Sequence, residues 1–495
     1  MPSRPLRILM VSAEVESFAR TGGLGDVVES LSRVFADRGA EVVLVTPLYG
    51  VTRVPPRTLR WDAPVPVRVG WGAADVRSAD VVEVEDVPRA RGKLRICLLD
   101  DPVLFARAGI YGNDHGTFDD NEYRFAALSR GALEIAARAW PDLGGPDVIH
   151  AHDWHAAFGI LYAKLVMGDA WRARASVFTI HNLAFQGHLD PGALDRLGIP
   201  RDAYASGALN HFGSVNLMKG AIAFADRVTT VSPSYAAEIL TPERGFGLDG
   251  FLRDQRGKLF GILNGIDTER FDPARDAAIA RTYDAATVTA GKAANRQALA
   301  AENGLDGGEG PLFATVSRLT EQKGMDLFLD LVPHLVQRGA RVVLVGQGEL
   351  ALEARMQAVA ARFPSRVAAR IAFDPALARR VYAGADFFVV PSRYEPCGLT
   401  QMYAMRYGAI PVVTAVGGLR DTVAPIDAAH GTGWGVVAPA PTREDLLVAF
   451  EDALAIFHDP VARLGAITRA MARDSSWGPS ADAYLALYES AIARG

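Results

Sequence analysis

Apolar positions in this chain fall into short unbroken runs, separated by stretches where they recur every three or four residues. That is the pattern of buried strands alternating with helices covered on one face. Arg7 to Ser12 reads as a first strand, and the loop RTGGLG, Arg20 to Gly25, leads to a helix whose Val27, Leu31, Val34 and Phe35 share one face. The helix ends near Gly39 and EVVLVTP gives a second strand, completing a βαβ unit opened by a loop rich in backbone donors. The same order returns at LFATVS, the loop RLTEQKG, a helix carrying Leu327, Leu331 and Leu335, and RVVLV. Even the helix exits match, RGAEVVLV from Arg38 against RGARVVLV from Arg338. The repeat predicts an α/β protein of two similar Rossmann-like, doubly wound domains facing each other.

A third segment has the same grammar in compact form. Phe387 to Val390 is an apolar run bounded by proline, and Leu399, Met402, Tyr403 and Met405 follow at helical spacing. Between them Ser392 to Gly398 forms a turn that sets Glu395 at the strand's carboxyl end, the edge where doubly wound sheets bind ligands. The helix beginning near Gly398 offers backbone N–H groups to an anion. Elsewhere, the alternating valines of Trp61 to Asp100 predict a small antiparallel insert. The stretch YGNDHGTFDDNEYRF from Tyr111 predicts a loop whose aromatic, amide and carboxylate groups suit a sugar ring. DVIHAHD, VFTIHN and RVTTVSP read as further strand ends, and Pro273 to Gly310 turns alanine-rich and charged. A boundary near Asn264 divides the expected domains into 1–262 and 263–475, with a last helical segment at 476–495.

Bulk properties narrow the function. The 495 residues exceed one ordinary core, 49% hydrophobic and 22% charged residues are those of a soluble globular protein, and a net charge of −5 argues against nucleic acid as a partner. Cys97 and Cys397 form no disulfide framework or Cys-x-x-Cys pair. The run Ile8 to Ala13 is too short for a signal sequence, and no stretch approaches the roughly 20 apolar residues of a membrane helix. A cytoplasmic protein with no membrane partner is expected.

Three constellations carry candidate chemistry. Arg20, Gly22 and Gly23 on one βαβ loop, Arg318 and Lys323 on the equivalent loop, and the helix end after Gly398 suit a diphosphate leaving group, whose charge must be neutralised as its bond breaks. His150 and His152 lie two apart on a strand and so share a face, the build of a His-x-His metal pair in hydrolases, although no later Asp or His motif completes a metal set. GQGELA, Gly346 to Ala351, fits the dinucleotide fingerprint in isolation but opens inside the second βαβ set. No Asp-x-Asp pair occurs, so metal-bound diphosphate chemistry is not indicated and no metal or other cofactor is expected.

The segment PSRYEPCGLTQ resembles the signature of glycogen and starch synthases, retaining glycosyltransferases of the GT-B fold. HAHDWHA, FTIHNLAFQG, VNLMKGAIAFADRVTTVSP, GFGLDG, GILNGIDTE, VSRLTEQKG and GGLRDTV follow the same family's order. The resemblance implies two Rossmann-like domains facing a deep cleft, a last helix crossing back to the first domain, and glucose transfer from ADP-glucose to the non-reducing end of glycogen or another α-1,4-glucan. It implies that Arg318 and Lys323 meet the diphosphate with Arg20, Gly22 and Gly23, where the family usually has Lys in place of Arg20. Glu395 is implied to stabilise the reacting sugar, with Asp153 and His181 opposite. Asn264, Cys397, Gly398, Leu399 and Thr400 are implied on the donor side, and Phe373 stands where the family stacks a tyrosine on adenine. Asp26, Asn182, Trp154 and Tyr111 are implied toward sugar and acceptor. A metal-dependent hydrolase built on His150 and His152, and a non-catalytic glucan-binding relative, remain the alternatives; oligomeric state is not legible.

Overall fold

The computed structural model describes residues 4–52, 54–84, 91–113, 116–372 and 374–493. Phe373 lies outside them. The chain divides into two compact units, the first formed by 1–231, 236–264 and 477–495 and the second by 232–235 and 265–476.

The sheet of the first unit runs, in spatial order, through Leu259–Gly261, Arg227–Thr230, Ala175–Ile180, Val148–His152, Arg7–Val11, Glu41–Pro47, Lys93–Asp100, Val76–Val84 and Thr58–Arg60. Its centre is parallel, and strands such as Ala175–Ile180 are buried along their whole length, which is why they read as unbroken apolar runs. Trp61 to Asp100 is antiparallel, as expected, across Val65–Arg68, Val76–Val84 and Lys93–Asp100, but it is continuous with the main sheet. Lys93–Asp100 joins that sheet in parallel register beside Glu41–Pro47, and the strands before it pair antiparallel. Its run ICLL is buried, whereas Val76–Val84 alternates at its outer end, so one segment carries both an interior and an edge pattern.

Helices cover the faces of this sheet. Gly23–Asp37 buries Val27, Val28, Leu31 and Phe35, the stripe its spacing dictates. The final helix, Gly478–Ile492, adds Ala481, Tyr484, Leu487 and Tyr488 to the same core, with the Phe35 and Tyr488 rings 5.4 Å apart.

In the second unit six parallel strands run in the order Val367–Arg370, Arg341–Val345, Leu312–Val316, Phe387–Val390, Ile410–Thr414, Val436–Ala438. Met325–Gln337 and Arg443–Phe457 bury Phe328 and Phe450 against it, beside Phe313. The second sheet reverses strand order once, between Leu312–Val316 and Phe387–Val390, and the parallel part of the first does so between Arg7–Val11 and Val148–His152. Loops leaving the carboxyl ends of such a pair diverge to opposite faces and leave a crevice between them. RTGGLG and Asp153 flank the first crevice; RLTEQKG and Glu395 flank the second.

Candidate functional site

In the first unit the glycine loop is held by a residue that sequence patterning passes over. Glu14 is buried, and its carboxylate accepts hydrogen bonds from the Thr21 N–H at 2.8 Å, the Gly22 N–H at 3.2 Å, the Thr21 hydroxyl at 2.9 Å and the Tyr111 hydroxyl at 2.6 Å. One carboxylate thus fixes the loop before the helix Gly23–Asp37 and brings Tyr111 onto it. Burial, reinforced by Glu14, pushes the Tyr111 hydroxyl pKa up, so it stays a donor. Arg20 donates to Glu16 and to Asp26, both at 2.9 Å, so the structure joins two of the expected contact residues as an ion pair. Gly22 and Gly23 occupy the N-cap and first position of that helix, and no side chain caps it.

Asp153 opens the helix Asp153–Leu165 with φ of +56°, a left-handed conformation that L residues rarely hold without support. The support is visible. Its Oδ1 accepts the His181 N–H at 2.8 Å and the Asn182 N–H at 3.4 Å, tying the end of one strand to its neighbour. Burial pushes this carboxyl up to about 7; the two backbone donors pull the other way, and Glu14 adds to the rise. His181 Nε2 and His152 Nδ1 share a hydrogen bond of 3.0 Å, and burial pushes His181 down to about 3, so its ring is neutral near pH 7. Tyr111 stacks on His155 at 4.6 Å, and Trp154 leans on the other neighbour of that ring, Phe125. Asn264 is buried with its amide oxygen accepting no hydrogen bond, an orphan acceptor that favours a ligand donor at that point.

The Asp153 carboxyl has a consequence for stability. Its proton is held up to about pH 7 in the folded chain but is lost near pH 4 in the unfolded one, so ionisation progressively disfavours the fold across that window and has no further effect above it. The wild type is therefore expected to lose stability relative to Asp153→Asn as pH rises from 4 to 7, the difference levelling beyond. Urea midpoints of both proteins across that range check it, and parallel curves would show that the carboxyl is not held protonated.

His150 answers the metal-pair reading. Its Nδ1 meets the Tyr488 hydroxyl at 2.7 Å and its Nε2 meets Thr179 Oγ1 at 2.6 Å, so both ring nitrogens are engaged inside the core. Among the described residues no group of three His, Cys, Asp or Glu is arranged to hold a metal ion.

In the second unit the two loops of the central crevice lock together. Gly324, at φ +63°, ends the turn Glu321–Lys323, and a Cβ there would collide with the Pro391 carbonyl. Arg393 bridges the loops, its N–H donating to the Gln322 carbonyl at 2.8 Å and its guanidinium pairing twice with Asp326. This brings the Lys323 ammonium onto Glu395 Oε2 at 2.6 Å, with Ser392 Oγ donating to the same oxygen at 2.9 Å. The lysine is 17% and the glutamate 6% exposed at the side chain. Arg318 is exposed on the same loop. Beyond Glu395, Gln401 donates to the Cys397 and Gly398 carbonyls and fixes the left-handed turn at Gly398, φ +75°. Leu399 and Thr400 then form the N-cap and first residue of the helix Thr400–Arg406.

Two features of this unit were missed or misdirected by pattern. GQGELA serves the neighbouring loop: Leu319 N–H donates to the Gln347 carbonyl, Glu349 N–H to the Leu319 carbonyl, and a Cβ on Gly348 would collide with that same carbonyl. Its glycines are explained by backbone contact alone. Lys292, buried, donates to the carbonyls of Tyr382, Ala383 and Tyr407 at 3.0–3.3 Å and so anchors the carboxyl end of the site helix; burial pushes its ammonium down to about 7.

The fold and both loop sets define a GT-B glycosyltransferase, and comparison with known proteins is specific. Residues 7–254 match the family described as starch synthase catalytic domain, and residues 310–455 match glycosyl transferases group 1. The chain is 43% identical to a glycogen synthase of Anaeromyxobacter dehalogenans (strain 2CP-C), covering 98% of this chain and 99% of that protein. It is 42% identical to the glycogen synthase of Myxococcus xanthus (strain DK1622), covering 99% and 100%. The solved catalytic domain of starch synthase IV from Arabidopsis thaliana, bound to ADP and acarbose, has a TM-score of 0.88 at 31% identity, covering 99% of this chain and all of that one. Sucrose-phosphate synthase from Thermosynechococcus elongatus, at 19% identity and TM-score 0.58, shares the fold. The chain belongs to the glycogen synthase family.

Proposed function

We propose that the chain transfers glucose from ADP-glucose to the non-reducing 4-hydroxyl of an α-1,4-glucan such as glycogen, with retention of configuration. The observation that carries this reading is the convergence of Lys323 and Glu395, 2.6 Å apart, at the strand-order reversal of the second sheet. A cation and a carboxylate in contact there can serve a departing diphosphate and the sugar it leaves. Glycogen synthase relatives that match over their full length, and a structural neighbour solved with ADP and acarbose, support the substrate pair.

As the bond to phosphate lengthens, Lys323 and Arg318 neutralise the diphosphate, while Arg20 and the amides of Gly22 and Gly23 supply further donors. Glu395 holds the sugar hydroxyls and stabilises the positive charge growing at the anomeric carbon. Asp153 fixes the backbone of His181 and Asn182, which face the sugar, and the orphan amide oxygen of Asn264 takes a sugar hydroxyl. Cys397, Gly398, Leu399 and Thr400 set the helix end toward the donor. Asp26, Trp154 and Tyr111 belong to the sugar and acceptor side. The departing phosphate oxygen takes the acceptor's proton, which gives same-face substitution without a protein nucleophile.

No helix among the described residues is long and apolar enough to cross a membrane; a cytoplasmic reaction fits this reading. Turnover of ADP-glucose and UDP-glucose with glycogen as acceptor tests it. Preferred use of ADP-glucose, with product sensitive to β-amylase, is expected. No elongation from either donor would overturn it.

Arg20 sharpens the anion site. Arg20→Lys is expected to retain most activity because its charge still meets Glu16 and Asp26, while Arg20→Ala is expected to lose about 10- to 100-fold in kcat/KM. Initial rates against ADP-glucose concentration check both, and near-normal turnover by the alanine variant removes Arg20 from the site.

A further inference from the structure

The stretch from Tyr111 to Phe125 ends on a residue that the reaction described above does not use. Arg124, on the helix Asn121–Ala139, is fully buried, yet no carboxylate among the described residues pairs with it. Asp120, close by in sequence, is taken by Arg107 at 2.6 and 2.7 Å. The rings of Phe118, Phe105, Phe125 and Tyr49 stand around the guanidinium with centroids 4.8 to 5.9 Å away, and its Nη2 has no hydrogen-bond partner. A guanidinium held in the interior without an anion disfavours the fold relative to an apolar side chain of similar volume. What it supplies is a rigid fan of donors.

Those donors converge on one loop. Nε donates to the Leu104 carbonyl at 2.8 Å, and Nη1 to the Ile110 carbonyl at 2.9 Å and to Asn121 Oδ1 at 2.6 Å. Asn121 passes the contact on, its amide nitrogen donating to the Tyr111 carbonyl at 2.8 Å. Tyr111 in turn donates its hydroxyl to Glu14, the carboxylate that holds the Thr21 and Gly22 amides. A second route leaves the same cage: the Tyr49 hydroxyl donates to the carbonyl of Ala13, the residue before Glu14. Arg124 is thus joined to the glycine loop twice without touching it.

We infer that Arg124 and Asn121 are positioning residues for the transfer reaction: they set Tyr111, and through Tyr111 and Glu14 they hold the glycine loop in place at the start of the helix Gly23–Asp37. The inference rests on the glucosyl-transfer reading, which puts the diphosphate at that loop. An apolar side chain could fill the cage as well as Arg124 does; only a donor at this point can hold Leu104, Ile110 and Asn121 together. Asn121 uses both ends of its amide, one to accept from the arginine and one to grip Tyr111, so the chain of contacts has a direction.

The test uses Arg124→Met and Asn121→Asp, with hydrogen exchange of residues 14–25, steady-state transfer to glycogen and melting temperature measured on the full chain. Asn121→Asp separates position from stability. Its carboxylate still accepts from Arg124 and favours the start of its helix, so the melting temperature should not fall, but it cannot donate to the Tyr111 carbonyl. In both variants exchange at Thr21 and Gly22 is expected to quicken about tenfold, and kcat to fall about 10- to 100-fold. KM for ADP-glucose should stay within about threefold, because the loop's donors count most as the bond to phosphate breaks. In a Tyr111→Phe background, Asn121→Asp should add no more than about twofold, the link being already cut. Rate loss that tracks a lowered melting temperature, with exchange at residues 14–25 unchanged, would make Arg124 structural alone and overturn the proposal. So would wild-type exchange and rates in both variants. Quickened exchange with wild-type kcat would overturn it as well, leaving the link in place but removing the glycine loop from the reaction. If the wild type transfers no glucose, the transferase reading fails on its own, and unchanged exchange in the variants would still strike the link.

Discussion

Glu395→Gln is expected to lower kcat by about 10²- to 10³-fold, the usual worth of one preorganised electrostatic contact to a transition state. The substitution keeps shape and a hydrogen-bonding oxygen for Ser392 but removes the negative charge that meets Lys323 and that the proposed mechanism sets against the reacting sugar. Its effect should fall on kcat far more than on KM for ADP-glucose, since the charge it would stabilise exists only as the sugar leaves. Glu395→Ala should lose at least as much, with the fold intact. Steady-state rates with glycogen, alongside thermal unfolding, separate chemistry from stability. A glutamine variant within about tenfold of wild-type kcat would be smaller than any such contact and would remove Glu395 from the reaction.

Lys323→Ala is expected to do comparable damage by a different route. It removes the cation assigned to the diphosphate and leaves Glu395, nearly buried, without its ion-pair partner. Loss of about 10²-fold or more in kcat/KM is expected, together with roughly 1–3 kcal/mol of stability, below the value for a fully buried pair because the ammonium is part-exposed. Lys323→Arg should recover the stability but only part of the rate, because a planar guanidinium does not reproduce a point charge on a flexible stem. Calorimetry and kinetics on the two variants check both halves. An alanine variant with wild-type kcat/KM and a lowered melting point would make Lys323 structural alone.

The architecture was legible where its causes are local. Each βαβ set carries its strand, loop and helix within some forty residues, so periodicity and the matching helix exits expose the repeat. Lys93–Asp100 was misread because strand pairing across the sheet has no local signature: its burial looks like a strand, yet nothing in its sequence says which neighbour it joins. The site divides the same way. Glu395 and Lys323 could be proposed from their places on loops at the carboxyl ends of strands, and Asp153 from the family resemblance, but the pairing of Lys323 with Glu395 spans 72 residues and that of Tyr111 with Glu14 spans 97. Glu14, just past the apolar run Ile8 to Ala13, anchors the glycine loop seven and eight residues further on, a contact that leaves no mark in the run itself. Lys292 did leave a signal that went unused. Val288, Lys292, Asn295 and Leu299 fall on one helical stripe, so a charged residue stands in register with buried ones and must find partners inside.

The central claim is that Lys323 and Glu395 act as one unit on the sugar diphosphate. A double-mutant cycle on single-turnover transfer from ADP-glucose to glycogen tests it most directly, using Lys323→Ala, Glu395→Gln and their combination. If the two side chains act together, the double variant should be no slower than the slower single variant, because either change alone already disables the pair. Losses that multiply, so that the double variant falls by the product of the two single effects, would show two independent contributions and contradict the account.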